Sequence, residues 1–204
     1  MKTMFKGLLI VLVLAALPMG AAAQQLFDFT GQALIPGSVG GTLDMYGEIF
    51  DPVPATTPIP LDFANYQYTV VVNAVMAATG IVRTYSGGTI AIYEDAGTAA
   101  DYTNPATLSD GTAILLGTFS SFSQFVPPIG PGSASGTVDW VGGSRLNDIA
   151  PEDQAGWAFL SGTNPNSGLL EPGYDEVWDG KVEPTTTIVD TENASMSKVK
   201  ALFK

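Results

Sequence analysis

The sequence predicts an all-β protein, an antiparallel β-sandwich of the jelly-roll or immunoglobulin-like kind, and three observations predict it. Apolar and polar residues alternate with period two in several short segments. Clusters of Gly, Pro, Asn and Asp separate those segments, and no strand-helix-strand rhythm recurs that would build a parallel sheet. Short strands with turn signals at this spacing fit a sandwich or a barrel, and the sandwich is the expectation.

The chain opens with a different kind of segment. Residues 1–6 carry Lys2 and Lys6 and no acid, residues 7–17 are an unbroken apolar run, and Pro18-Met19-Gly20 leads into Ala21-Ala22-Ala23. That is the order of a cleavable secretory signal, with small side chains at Ala21 and Ala23 setting cleavage before Gln24. An apolar run of about 11 residues is short of the roughly 20 that cross a bilayer, so no transmembrane span is expected in the mature protein.

The strands follow in order. One is expected over residues 26–30. In Thr42–Phe50, Leu43, Met45 and Ile49 alternate with Thr42, Asp44 and Glu48, and residues 66–77 alternate Tyr68, Val70, Val72 and Met76 against Gln67, Thr69 and Asn73. Both read as half-buried strands. Residues 81–85 and 89–94 flank Ser86-Gly87-Gly88, where paired glycines can take the positive φ angles of a hairpin turn. Further strands are expected at 113–119, 136–141, 157–160 and near 177–182. Val70, Val72, Ile90, Ile92, Trp140 and Phe159 are the expected core. Turn clusters stand at Asp51-Pro52-Val53-Pro54, Asn104-Pro105, Ser109-Asp110-Gly111, residues 127–132 and Asn164-Pro165-Asn166. One helical turn is expected at 151–155, where Pro151 suits the first position and Glu152 and Asp153 favour the positive end of the dipole.

The organisation is then a signal at 1–23, a β-sandwich at 24–182, a polar linker at 183–194 and a basic amphipathic tail at 195–204. In the tail Met196, Val199, Leu202 and Phe203 recur at helical spacing beside Lys198, Lys200 and Lys204, which makes a helix too short to be stable alone. The 181 residues after the signal are enough for one self-sufficient core without disulfides, and the chain has no cysteine. They hold six cations against 20 acids, a formal charge of −14. Such a body is repelled by nucleic acid and anionic lipid, and no nucleic-acid partner is expected.

With no histidine and no cysteine, Ser-His-Asp and Cys-His catalysis, thiolate metal sites and histidine-ligated zinc fall away. Carboxylate chemistry remains, and a secreted carboxylate-dependent hydrolase is a formal alternative, although no pair among the acids selects itself. Calcium is the cofactor that acids and loop carbonyls can hold unaided. Three acid-dense loops are candidates: Glu94, Asp95 and Asp101; Asn147, Asp148, Glu152 and Asp153; Asp175, Glu176 and Asp179. The competing reading of each is charge on solvated turns. Trp140 shares a face with Val138, and Trp157 with Phe159, which marks both as core. Trp178 alternates with Tyr174 and Glu176 in an acidic, turn-rich stretch, so Trp178 and Tyr174 are candidates for a surface contact with a glycan or a protein.

The stretch Tyr85-Ser86-Gly87-Gly88-Thr89-Ile90-Ala91-Ile92-Tyr93-Glu94-Asp95, with the later Asp110-Gly111-Thr112, resembles uncharacterised bacterial secreted β-sandwich proteins with short C-terminal sorting-like tails. The resemblance implies bacterial export to the surface, periplasm or medium and implies no established activity. The expected function is therefore a non-enzymatic envelope or extracellular protein, structural or adhesive, whose partner is an envelope or matrix component, a glycan among the candidates. A glycan- or calcium-binding module is the alternative. Intact-mass analysis of secreted material should give an N-terminus at Gln24, and retention of residues 1–23 would refute export by cleavage.

Overall fold

The computed structural model describes residues 27–50 and 59–185. The signal, the 51–54 turn cluster, residues 186–194 of the linker and the 195–204 tail lie outside the described residues. Eight strands follow one another: β1 Phe27–Leu34, β2 Thr42–Phe50, β3 Gln67–Ala78, β4 Val82–Asp95, β5 Thr112–Phe125, β6 Gly132–Gly142, β7 Trp157–Asn164 and β8 Glu176–Pro184. Each pairs antiparallel with its neighbours in sequence, and β8 returns to β1, so the sheet closes into an up-and-down barrel. The expected sandwich is overturned. Local alternation is the same in both architectures, and what separates them is the long-range ladder from Phe27↔Val182 to Ala33↔Glu176. That ladder leaves no open edge.

Each expected strand falls on an observed one, two of them on the same strand, and most observed strands are longer than their alternation suggests. β8 continues through Glu183 and Pro184, opposite Ala158 and Trp157, and so takes in the first two residues of the expected linker. The expected 81–85 and 89–94 hairpin is one strand, β4. Asn73 faces Thr89 while Val75 faces Ser86, so β4 carries one extra residue there, a bulge with Gly87 at φ +61°. On its other side β4 keeps one register across this stretch, with Tyr85 opposite Phe122 and Thr89 opposite Thr118. Tight turns and bulges both call for positive φ, so the glycine pair alone does not tell them apart.

A second bulge, where Ile92 faces Leu115 but Tyr93 faces Ala113, buries both Ile114 and Leu115. The 3-10 turn Pro105–Leu108 covers the outside of β3, where Thr69 Oγ1 donates to the Leu108 carbonyl at 2.7 Å. Thr69 and Val71 are thereby buried on what is otherwise a solvent face. Two more 3-10 turns stand at Leu146–Asp148 and Pro151–Asp153, the latter within the expected helical turn.

An eight-stranded barrel is just wide enough for its inward side chains to fill. Here aromatic rings fill it. Phe29 stacks on Phe159 at 5.3 Å between centroids, Phe119 on Phe122 at 4.5 Å, and Trp178 packs against Phe122 and Phe159 at 6.3 Å. Val70, Val72, Ile90, Ile92, Trp140 and Phe159, the expected core, are all buried. Outward positions carry Asp28, Thr30, Asp44, Glu48, Thr118, Ser133, Ser135 and Asp179. Polarity therefore runs apolar inward and largely polar outward, the reverse of the alternation in a transmembrane barrel. Among the described residues no helix is long and apolar enough to cross a membrane.

The close approach of β7 and β8 depends on Gly180, since a Cβ there would stand 2.3 Å from the Leu160 carbonyl oxygen. Gly180→Ala should lower unfolding free energy by about 1–3 kcal/mol through overpacking. Gly168→Ala, where a Cβ meets nothing within 4 Å, should leave the urea midpoint nearly unchanged.

Candidate functional site at the barrel mouth

The loops β1–β2, β3–β4, β5–β6 and β7–β8 lie at one end of the barrel, its mouth. The Val126 N–H donates to the Ile81 carbonyl, Gly40 to Met76, and Asp175 to Ala33, which ties the four loops to neighbouring strand ends. The polar atoms of five side chains meet just inside. Glu176 opens β8 on the same face as Trp178, so strand alternation carries it inward, and it is only 6% exposed. Its Oε2 accepts from Gln124 Nε2 at 2.6 Å and from Trp178 Nε1 at 3.0 Å. Oε1 lies 3.9 Å from Arg83 Nη1, beyond hydrogen-bond reach. Gln124 Oε1 accepts in turn from the Tyr85 hydroxyl at 2.9 Å and from Arg83 at 3.3 Å.

Burial pushes the Glu176 carboxyl above its ordinary 4.5, against the opposing pull of Trp178, Arg83 and Gln124. Burial likewise pushes the Tyr85 hydroxyl up to about 12, with Arg83 opposing and Glu176 assisting. Above this network lies a cleft of about 270 Å³ whose lining includes Pro127, Pro128, Ile129, Thr163, Pro165 and Glu176. A larger depression of about 410 Å³ lies on the outer wall among Asp28, Ser133, Ser135, Asp179 and Lys181. That one is shallow and its charges are solvated, whereas the mouth cleft reaches buried polar atoms, which is what makes it the candidate.

The opposite end of the barrel holds a second network. Tyr68 donates to Glu94 Oε2 at 2.8 Å and accepts from the Asp62 N–H at 2.9 Å, and burial raises its hydroxyl to about 12. Arg145 Nη2 stands 3.2 Å from Glu94 Oε2 while its Nη1 donates to the Pro60 carbonyl. The segment that carries Pro60 and Asp62 is fastened by these contacts.

The structure disperses the calcium candidates. Glu94 points inward to Tyr68 and Arg145, and its neighbour Asp95 accepts from the Gly97 and Thr98 N–H groups at 2.9 Å. Asp101 accepts from Thr103 through N–H and hydroxyl. These bonds hold the Asp95 and Asp101 carboxyls below the usual range. Asp148 and Asp153 sit in separate 3-10 turns, while Asp175 caps the Ile35 N–H at 2.7 Å. Glu176 faces the lumen and Asp179 the outer wall. Among the described residues no three acids gather around one point.

The two surface-contact candidates also part company. Trp178 is fully buried in the aromatic layer, so its ring has no face to offer a partner. Tyr174 stays on the outside, where its hydroxyl donates to the Tyr102 carbonyl at 2.9 Å and its ring meets Tyr46 and Tyr102 edge-on. It straps the β7–β8 loop to the β4–β5 loop across β1, and Tyr102 in turn donates to the Thr30 carbonyl. Sequence reading passed over Arg83 and Gln124, although each shares strand parity with an aromatic residue, Tyr85 and Phe122.

Because the folded carboxyl titrates above its unfolded value, Glu176 favours folding below about pH 4.5 and loses that contribution as pH rises through the folded pKa. Glu176→Gln should therefore be at least as stable as wild type at pH 7.5, the difference closing by about pH 4, in pH-resolved thermal melts. Glu176→Ala strands the Trp178 and Gln124 donors and should cost about 1–3 kcal/mol.

No family model, curated protein or solved structure matches this chain, so the mouth is interpreted from its own geometry.

Proposed function

We propose that the chain is an exported, non-enzymatic protein of the bacterial envelope or extracellular matrix, an adhesive or structural element that docks through the barrel mouth. One observation carries this reading. Each of the four mouth loops presents a large apolar side chain to solvent: Val39 at 55% exposure, Ile81 at 58%, Ile129 at 92% and Leu169 at 71%. In a body of charge −14, those loops hold only Glu171 and Asp175. Described loops at the opposite end hold Asp62, Asp101, Asp110, Asp148, Glu152 and Asp153 with Arg145. A grouped, nearly uncharged apolar end on an acidic protein is the pattern of an interaction surface, whereas scattered apolar residues would be ordinary.

The filled lumen supports the same reading. A barrel whose interior is occupied by Phe29, Phe119, Phe122, Phe159 and Trp178 has no room for a ligand inside, so recognition falls to its surface and rim. The apolar leader ending at Ala23 supports delivery outside the cytoplasm.

The test is fractionation of the producing bacterium with the wild type and with an Ile81→Asp, Ile129→Asp, Leu169→Asp variant. Wild type should sediment with envelope or matrix, and the variant should move to the soluble fraction. Such exposed positions should each change stability by no more than about 0.5 kcal/mol, which thermal melts of the purified proteins check. A wild type recovered free in the medium, or a variant that still sediments, refutes docking through the mouth.

A further inference from the structure

The cleft at the mouth holds a single carboxylate against a proline-rich wall. Its two innermost polar side chains, Glu176 and Thr163, are 6% and 2% exposed. Among the described residues Glu176 Oε1 accepts no hydrogen bond, the Arg83 guanidinium being 3.9 Å away, and Thr163 Oγ1 has no side-chain hydrogen bond. Both oxygens keep access to the cleft, the fully buried side-chain atoms without a hydrogen bond among the described residues being Trp140 Nε1 and Glu183 Oε2. Around them the wall is built from Pro127, Pro128 and Pro165, residues that have carbonyls but no backbone N–H. Val126, Ile129, Gly130, Gly132 and Asn166 complete the lining, so the cleft sets one carboxylate against a wall that is largely hydrocarbon.

A group that suits it brings a donor to the Glu176 carboxylate and a short apolar body to the prolines, and that carboxylate disfavours anions. We propose that the mouth cleft binds a small aliphatic primary ammonium compound. Its N–H groups would bond Glu176 Oε1 and Thr163 Oγ1, and its hydrocarbon would lie against Pro127, Pro128 and Ile129. A volume of about 270 Å³ is at the lower edge of the range for organic ligands, so the compound is small. The surrounding charge of −14 concentrates cations near the protein. Arg83 shares Glu176 with the incoming ammonium and keeps the affinity modest. This inference is separate from the docking of the mouth loops, and its test uses purified protein.

The mature protein is titrated with n-butylammonium, n-butanol or butyrate at fixed ionic strength while backbone amide chemical shifts are followed. Saturable shifts confined to residues 126–132, 163–166 and 176 are expected for butylammonium. Butanol should bind about ten-fold more weakly, because a neutral donor forgoes the charge-assisted bond, and butyrate should not bind. Glu176→Gln should weaken butylammonium about ten-fold as well, and Thr163→Val, which keeps the carboxylate, should weaken it by a smaller factor. Lowering the pH through the raised pKa of the carboxyl should weaken binding as it protonates. Butanol binding as well as butylammonium, equal titrations of wild type and both variants, or diffuse shifts over the acidic surface would overturn the proposal. If Glu176→Gln does not fold, Thr163→Val and the pH series decide it.

Discussion

The ladder between β1 and β8 is the interaction on which the rest of the molecule depends. Seven residue pairs, from Phe27↔Val182 to Ala33↔Glu176, join the two ends of the described chain. Once they form, every strand has two partners and the inward faces of all eight enclose one narrow space. That space must be filled, because a void would forfeit both dispersion contacts and hydrophobic transfer. The aromatic layer follows from this geometry. Each fully buried large side chain contributes about 1.5–3 kcal/mol, and the flat rings of Phe29, Phe122, Phe159 and Trp178 occupy the axis that branched aliphatics would fill less completely.

Closure also dictates what happens at the two ends. Inward strand positions near a rim belong neither to the dry core nor to bulk water, and polar side chains placed there must satisfy one another. At the mouth Arg83, Tyr85, Gln124, Glu176 and Trp178 do so, and at the other end Tyr68, Glu94 and Arg145 do so with the Pro60 and Asp62 backbone. The two networks differ in one respect. The lower one is covered by a chain segment, whereas the upper one meets a cleft through Glu176 and Thr163. A binding reading attaches to the upper one for that reason.

Much of the strand content was legible because period-two alternation is written in single residues: Val70 with Val72, Ile90 with Ile92, Trp157 with Phe159. Closure was not legible, since a sandwich and a barrel ask for the same alternation and differ in which strands pair, here each with its sequence neighbours and β1 with β8. Ser86-Gly87-Gly88 misled for a related reason, because a glycine pair signals positive φ and only the constant register of β4 against β5 on either side of it, beside the shift against β3, reveals a bulge. The site was half visible. Alternation correctly put Glu176 and Trp178 on one face, but the acids and turn residues before them suggested that this face was wet. Its true direction follows from Gly180 and Val182 continuing the same face into the core, which extends the pattern beyond the turn-rich stretch. Arg83 and Gln124 were hidden by being polar at inward positions, where only a tertiary partner makes them intelligible.

The uneven placement of acids gives the described barrel a direction as well as a charge. With Asp62, Asp101, Asp110, Asp148, Glu152 and Asp153 in the loops of one end and only Glu171 and Asp175 in those of the other, its charge is off-centre along the barrel axis. Near a negatively charged boundary such a body experiences a torque, which swings the acidic end away and turns the apolar rim toward the boundary. Screening limits this to about 8 Å at physiological ionic strength, so the alignment acts in the last nanometre of an approach and fades in concentrated salt. Salt therefore acts unequally on the two features: dissolved ions remove the steering and leave the apolar rim unchanged.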